Sequence, residues 1–235
     1  MSGRAAWLLA AILLVGLALR VWGLAFGLPN ISCRPDESTL VHRALAIGAG
    51  DPNPHFFNYP SLHFYLLAAV YGAYYIAGFM GGVFENTAIF EAQFLKDPSV
   101  FYLIGRGLGA LMGIASVGVL YSIGTRLGGV LVGLASALFL SCCFLHVRDS
   151  HFLTVDIPAT FYLLVSILFS LRYMEGRAVR NLIVGAIFLG LSASTKYNLG
   201  LFAGVVLIAA YQKNDSLRAN GGRLCWVVGV MAAAF

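Results

Sequence analysis

Charge is what this sequence has least of. Only 11% of its 235 residues are Asp, Glu, Lys or Arg, whereas 60% are hydrophobic. A soluble domain carries about 25% charged residues, so a water-soluble globular fold is excluded. Cations exceed anions modestly, 15 against 10, for a net charge of +5. They are spread over several loops, which argues against nucleic acid as a partner. Cysteine is scarce too. Cys142, Cys143 and Cys225 lie in apolar segments and Cys33 stands alone outside them. These residues offer neither a disulfide framework nor a metal-type spacing. No ligand pattern demands a metal, so dependence on a divalent metal stays open.

What fills the chain instead is hydrocarbon. Apolar segments cover 5–28, 60–82, 100–124, 128–147, 157–171, 181–195, 198–211 and 224–235. A helix needs about 20 residues to cross about 30 Å of hydrocarbon, and only helices and closed barrels satisfy their backbone groups in lipid. The pattern predicts an all-α polytopic membrane protein. The first segment lacks a small-residue cleavage site and is followed by further spans, so it reads as a retained helix rather than a signal peptide. The last begins at Leu224 and reaches Phe235. That is short for a crossing, and 1–235 reads as the N-terminal part of a longer module.

Cytoplasmic loops collect Lys and Arg. Four cationic places bear on topology: Arg4; Arg126 within Thr125-Arg126-Leu127-Gly128-Gly129; Arg172, Arg177 and Arg180; and Lys213, Arg218 and Arg223. Placing all four inside puts the N-terminus in the cytoplasm and conflicts with a single crossing by 60–82. Either that segment dips in and returns or lies along the outer face, making 29–99 one large external region, or it is an ordinary span with a weak charge bias. The first solution keeps every cluster inside and is preferred. Segments 181–195 and 198–211 would together measure about 46 Å at 1.5 Å per residue, too long for one straight crossing. The polar break Ser192-Ala193-Ser194-Thr195-Lys196-Tyr197-Asn198 predicts a hairpin of short helices beside an aqueous recess, with Lys196 at the external turn. Carboxylates and cations then converge on one membrane face.

The acidic pair Asp36-Glu37 sits in Ser32-Cys33-Arg34-Pro35-Asp36-Glu37-Ser38, directly after the first span. A carboxylate at a membrane edge is costly unless it is solvated, paired or used. Leu40, Val41, Ala44, Leu45 and Ile47 follow helical spacing, with Glu37, Ser38, His42 and Arg43 largely opposite, as in a helix lying on the interface. Asp36 as N-cap and Glu37 at the positive helix end account for part of this. A cap needs one acid rather than two, however, and Arg34-Pro35 fixes the backbone tightly. A second polar stretch, Arg148-Asp149-Ser150-His151 followed by Asp156-Ile157-Pro158, reads as a loop and a helix start capped by Asp156. His151 reads as a hydrogen-bonded loop histidine before a metal ligand. Lys196 is harder to account for as a snorkelling lysine, which usually sits at an outer helix end, whereas Arg20 and Arg106 either snorkel or pair with carboxylates. Tyr65, Tyr71, Tyr74 and Tyr75, which follow His55-Phe56-Phe57-Asn58-Tyr59-Pro60-Ser61-Leu62, suit a membrane interface.

Taken in order, the acidic pair, the Tyr-Pro-Ser-Leu helix entry, Arg148-Asp149-Ser150-His151-Phe152-Leu153-Thr154-Val155-Asp156-Ile157-Pro158 and Gly190-Leu191-Ser192-Ala193-Ser194-Thr195-Lys196-Tyr197-Asn198 resemble the N-terminal module of GT-C membrane glycosyltransferases. More narrowly, they resemble the family 39-like group of protein O-mannosyltransferases and aminoarabinose transferases. The resemblance covers essentially the whole chain. It implies a GT-C helix bundle whose external first loop carries membrane-parallel helices, a polyprenyl-phosphate sugar donor, and a protein, lipid or glycan acceptor at the extracytoplasmic face. By the same resemblance Asp36 is the general base with Glu37 as its companion, Asp156 is the second-loop acid, and Lys196 lies near the donor phosphate. Arg148, Arg34 and His151 are further candidates for contact with donor or substrate, and attack opposite the phosphate implies inversion. Full members of the family continue through more helices. Two other classes stay open on the residues alone. A transporter or flippase calls for charges within helices, whereas the acids here cluster in loops; a non-catalytic membrane assembly subunit is the third reading.

Overall fold

The computed structural model of the protein describes residues 3–211 and 216–235; Lys213, assigned above to a cationic loop, lies outside them. Among the described residues every regular element is helical. Among these residues four helices are long and apolar enough to cross a membrane: α1 (Gly3–Val21), α3 (Leu62–Met80), α5 (Ser99–Cys142) and α7 (Asp156–Gly176). Between and after them come α2 (Pro35–Gly48), α4 (Thr87–Lys96), α6 (Phe144–Ser150), α8 (Val179–Ala193), α9 (Ala203–Ala210) and α10 (Leu217–Ala234). The protein is an all-α, multi-pass membrane protein.

Helix α1 stops seven residues before the end of the apolar segment 5–28. Gly23 and Gly27 adopt φ of +81° and +80°, a left-handed conformation that glycine enters without steric cost. The apolar residues 22–28 therefore turn instead of continuing the helix, which leaves their carbonyls without helical partners and available to other groups.

Segment 100–124 and the part of 128–147 up to Cys142 become the two limbs of α5, folded back on each other at Gly128 and Gly129, whose dihedrals leave the helical region. The limbs touch so closely that a Cβ on Gly133 would lie 2.8 Å from the Tyr121 carbonyl oxygen and 2.1 Å from Thr125 Oγ1. Small residues permit this approach in lipid, where association rests on packing and interhelical hydrogen bonds. The same device joins α7 to α8: Ser166 Oγ donates to the Gly185 carbonyl and Ser192 Oγ to the Ala159 carbonyl, both at 2.8 Å. The hairpin anticipated around Lys196 is present, with α8 leading into a 3₁₀ turn (Tyr197–Phe202) and α9. Helix α10 begins at Leu217, capped by Ser216 Oγ, so it is longer than the apolar run from Leu224.

One end of this bundle is marked by an ion pair between Arg126, at the α5 turn, and Glu175, at the end of α7. The C-terminal end of α1, the start of α5, α6, the start of α7 and the α8–α9 turn gather at the other end. Beside them α2, α3 and α4 share a core with the start of α5 and the 151–155 connection, in which Leu40, Val41 and Ala44 pack on Phe64, Leu67, Tyr71, Phe101, Leu153 and Val155. Helix α3 is one unbroken helix, which excludes a reversal within 60–82 and leaves a surface helix or a crossing. Three of its tyrosines hydrogen-bond within the protein, and Tyr71 is buried. Tyr71 donates to the Phe101 carbonyl, Tyr74 bonds Gln93 and Tyr65 donates to the Pro52 carbonyl.

The limb contact gives a stability prediction. Gly133→Val forces Thr125 and the Tyr121 backbone apart and should destabilise the protein by about 1–3 kcal/mol, the usual cost of overpacking. Gly107→Ala, where a Cβ meets no atom within 4 Å, should be neutral. Thermal unfolding in detergent compares the two.

Candidate functional site

The two adjacent carboxylates part company because helical residues sit about 100° apart. Glu37 shares a face with Leu40, Val41 and Ala44, three, four and seven positions on, and that face is buried. This corrects the placement of Glu37 on the polar face of α2: it is only 2% exposed. Its oxygens meet Arg106, with Nε to Oε1 at 2.9 Å and Nη2 to Oε2 at 2.7 Å. Oε1 also accepts the Leu153 amide at 2.7 Å. Arg106 Nη1 completes the cluster by donating to the Leu24 and Phe26 carbonyls at 2.7 and 2.9 Å. Those are carbonyls freed where α1 unwinds. Of the two roles foreseen for Arg106, pairing with a carboxylate is the one found.

Asp36 points the other way. It is exposed and makes no hydrogen bond or ion pair among the described residues. The N-cap of α2 is Arg34, without a side-chain cap bond, and Pro35 occupies the first helical position. The capping role foreseen for Asp36 is therefore corrected: proline at the first position shifts the boundary back by two residues, and the carboxylate stays open. Arg34 lays its guanidinium over the Phe152 ring, 3.7 Å from the centroid, with Arg106 5.7 Å from the same ring. The cation–π contact ties the entry of α2 to the 148–156 stretch.

That stretch leads to Asp156, the first residue of α7. The N-cap there is Val155, again without a side-chain bond, so Asp156 is not a cap either. It forms an ion pair with Lys196 at the α8–α9 turn. An ammonium has three donors, and this one uses one of them on Asp156. The turn is joined to the first loop by the Leu62 amide, which donates to the Ser194 carbonyl at 3.2 Å. Asp36, Arg34, Asp156 and Lys196 are thus carried by segments bonded to one another at one end of the bundle. Arg148 pairs with its neighbour Asp149. His151 Nε2 donates to the Leu19 carbonyl at 2.6 Å, as a hydrogen-bonded loop histidine does. Among the described residues no three His, Cys, Asp or Glu side chains group as metal ligands. A groove of about 580 Å³ between α2, α3 and α4 is lined by His42, Tyr71, Tyr75, Phe90, Glu91 and others, but not by Asp36, Asp156 or Lys196.

Two contributors escaped the sequence reading. Phe152 was seen only as part of a motif, and its use as a shared shelf for two arginines depends on folding. His146 is buried, and its Nδ1 lies 2.9 Å from Arg20 Nη2. Burial, with the Arg20 charge adding to it, pushes its pKa down from 6.5 to about 4.

Two predictions follow from these contacts. Breaking a buried ion pair from one side costs about 3–5 kcal/mol, because the remaining charge is stranded, whereas replacing both partners by apolar residues costs far less. Arg106→Leu and Glu37→Leu should each destabilise by that amount and the double variant by less, as read by thermal unfolding. For His146 the unfolded chain binds the proton more readily than the folded one. Its contribution to stability is therefore complete above pH 6.5 and is lost as pH falls toward about 4. Unfolding midpoints measured across that window should fall less steeply for His146→Asn than for the parent.

Residues 98–235 match the family of dolichyl-phosphate-mannose-protein mannosyltransferases. No curated protein sequence and no solved structure matches the chain. The match covers α5 to α10, more than half the chain, and includes Arg106, Arg148, Phe152, Asp156 and Lys196. It decides for the enzyme over the transporter and assembly readings: the protein is a membrane glycosyltransferase that draws on a lipid-linked sugar. The chain belongs to the dolichyl-phosphate-mannose-protein mannosyltransferase family.

Proposed function

We propose that the protein transfers a sugar from a polyprenyl-phosphate donor to an acceptor hydroxyl or amine on the extracytoplasmic face, with inversion at the anomeric carbon and Asp36 as general base. The observation that carries this reading is Asp36 itself, an exposed carboxylate without a partner among the described residues, standing one residue from a buried ion pair that fixes its helix. Such a group is solvated and available for proton transfer within a rigid frame. The acceptor gives its proton to Asp36 while its heteroatom bonds the anomeric carbon. The bond from that carbon to the phosphate oxygen breaks, and the polyprenyl phosphate leaves with the electron pair.

Lys196 is the cation best placed for the leaving phosphate, and Asp156 holds it. Arg148 and Arg34 are further candidates, and their effect is enlarged where water is scarce. Glu37 serves this chemistry as a positioning residue, since both its oxygens are occupied. Sidedness rests on the cations. The Arg126–Glu175 end carries the arginine-rich connections, and placing it inside by the positive-inside rule puts the N-terminus in the cytoplasm and Asp36 outside. Helix α3, packed chiefly on α2 instead of within the bundle, then lies along the outer face.

Asp36→Asn preserves shape and removes the base. General-base catalysis is worth about 10²–10⁴ in rate, so transfer to acceptor should fall by that factor in the membrane-inserted protein with its unfolding midpoint unchanged. Transfer near the parent rate would contradict the assignment.

A further inference from the structure

Arg20 is fully buried at the end of α1 and makes no ion pair among the described residues. A buried guanidinium is tolerated when most of its donors are taken; that of Arg20 bonds through both Nη atoms, while its Nε is buried without a partner among the described residues. Here Nη1 donates to the Gly16 and Ser141 carbonyls at 2.8 and 3.2 Å, and Nη2 to the Leu140 carbonyl at 3.1 Å and to His146 Nδ1 at 2.9 Å. Leu140 and Ser141 close α5, and the partial negative charge of a helix C-terminus suits a cation. The chain then breaks at Cys143, which is extended at φ −61° and ψ 112°, and restarts as α6 with His146 in its first turn. Arg20 therefore bonds on both sides of the break.

A guanidinium only donates, so His146 Nδ1 accepts and the ring proton sits on Nε2, which is buried without a partner among the described residues. The imidazole meets the arginine without bringing in a second desolvated charge. Ser150 Oγ donates to the His146 carbonyl at 2.6 Å, and His151 bonds the Leu19 carbonyl. Helix α6 thus hangs from the last turn of α1. It carries Arg148 and leads through Phe152 and Leu153 to Asp156.

We propose that His146 is a positioning residue: as the hydrogen-bond acceptor for Arg20 it sets the angle between α5 and α6, and through it the placement of Arg148, Phe152 and Asp156. The kinetic part of this inference rests on the function proposed above; the tether itself does not.

The test uses the full chain in detergent or nanodiscs and compares His146→Asn, which keeps an acceptor near the Nδ1 position, with His146→Leu, which fills the space without one. Amide exchange over 144–155 reads the tether, and KM for the lipid-linked donor set against kcat reads the site. His146→Leu should raise exchange in 144–155 and donor KM each by about tenfold with a smaller change in kcat, while His146→Asn stays within about twofold of the parent. Unchanged exchange in His146→Leu, equal disturbance in both variants, or raised exchange with unchanged kinetics would each overturn the proposal. If His146→Leu does not fold, Arg20→Lys takes its place, since an ammonium cannot span the break with the same fork. A parent protein inactive in sugar transfer would count against the proposed function, and the exchange comparison would still decide the tether.

Discussion

The structure turns on the buried pair of Glu37 and Arg106. Two charges removed from water seldom repay their desolvation by mutual attraction alone, so the pair needs further bonds, and it has them. The Leu153 amide and the carbonyls of Leu24 and Phe26 complete it. Each bond recruits a different part of the chain: the unwound end of α1, the first turn of α2, the first limb of α5, and the approach to α7. The ion pair is the point at which the first loop becomes attached to the bundle. The exposure of Asp36 is its geometric corollary, because a residue one step along a helix from a buried anchor faces elsewhere.

Much of the fold was legible because hydropathy and helical length carry it. The α5 hairpin declared itself at Leu127-Gly128-Gly129, and the α8–α9 turn at the polar run around Lys196. The division of labour within the acidic pair did not. Glu37 keeps the spacing of the buried face, but a carboxylate is assigned outward unless its partner is known, and Arg106 stands 69 residues away. The caps were misassigned for a local reason. Asp is a favoured N-cap, yet Pro35 at the first helical position makes Arg34 the boundary residue. The tyrosines of α3 fit an interface by type, and only packing reveals that Tyr71 and Tyr74 point into the unit formed with α4 and α5.

The site that emerges treats its carboxylates differently. Glu37 is buried and fully engaged, Asp156 is paired with Lys196, and Asp36 is open. In the proposed mechanism these serve as an anchor, a holder of a cation, and a base. Family membership supplies the class of reaction, a sugar moved from a lipid carrier, and the division suits the mechanism proposed for it, in which one group accepts a proton and a cation receives the leaving phosphate.

The most direct measurement is a structure of the full-length protein bound to a non-transferable polyprenyl-phosphate sugar analogue. The account predicts the phosphate against Lys196, with the anomeric carbon open to attack from the side of Asp36. A phosphate seated away from Lys196, or a sugar beyond reach of an acceptor held by Asp36, would contradict it.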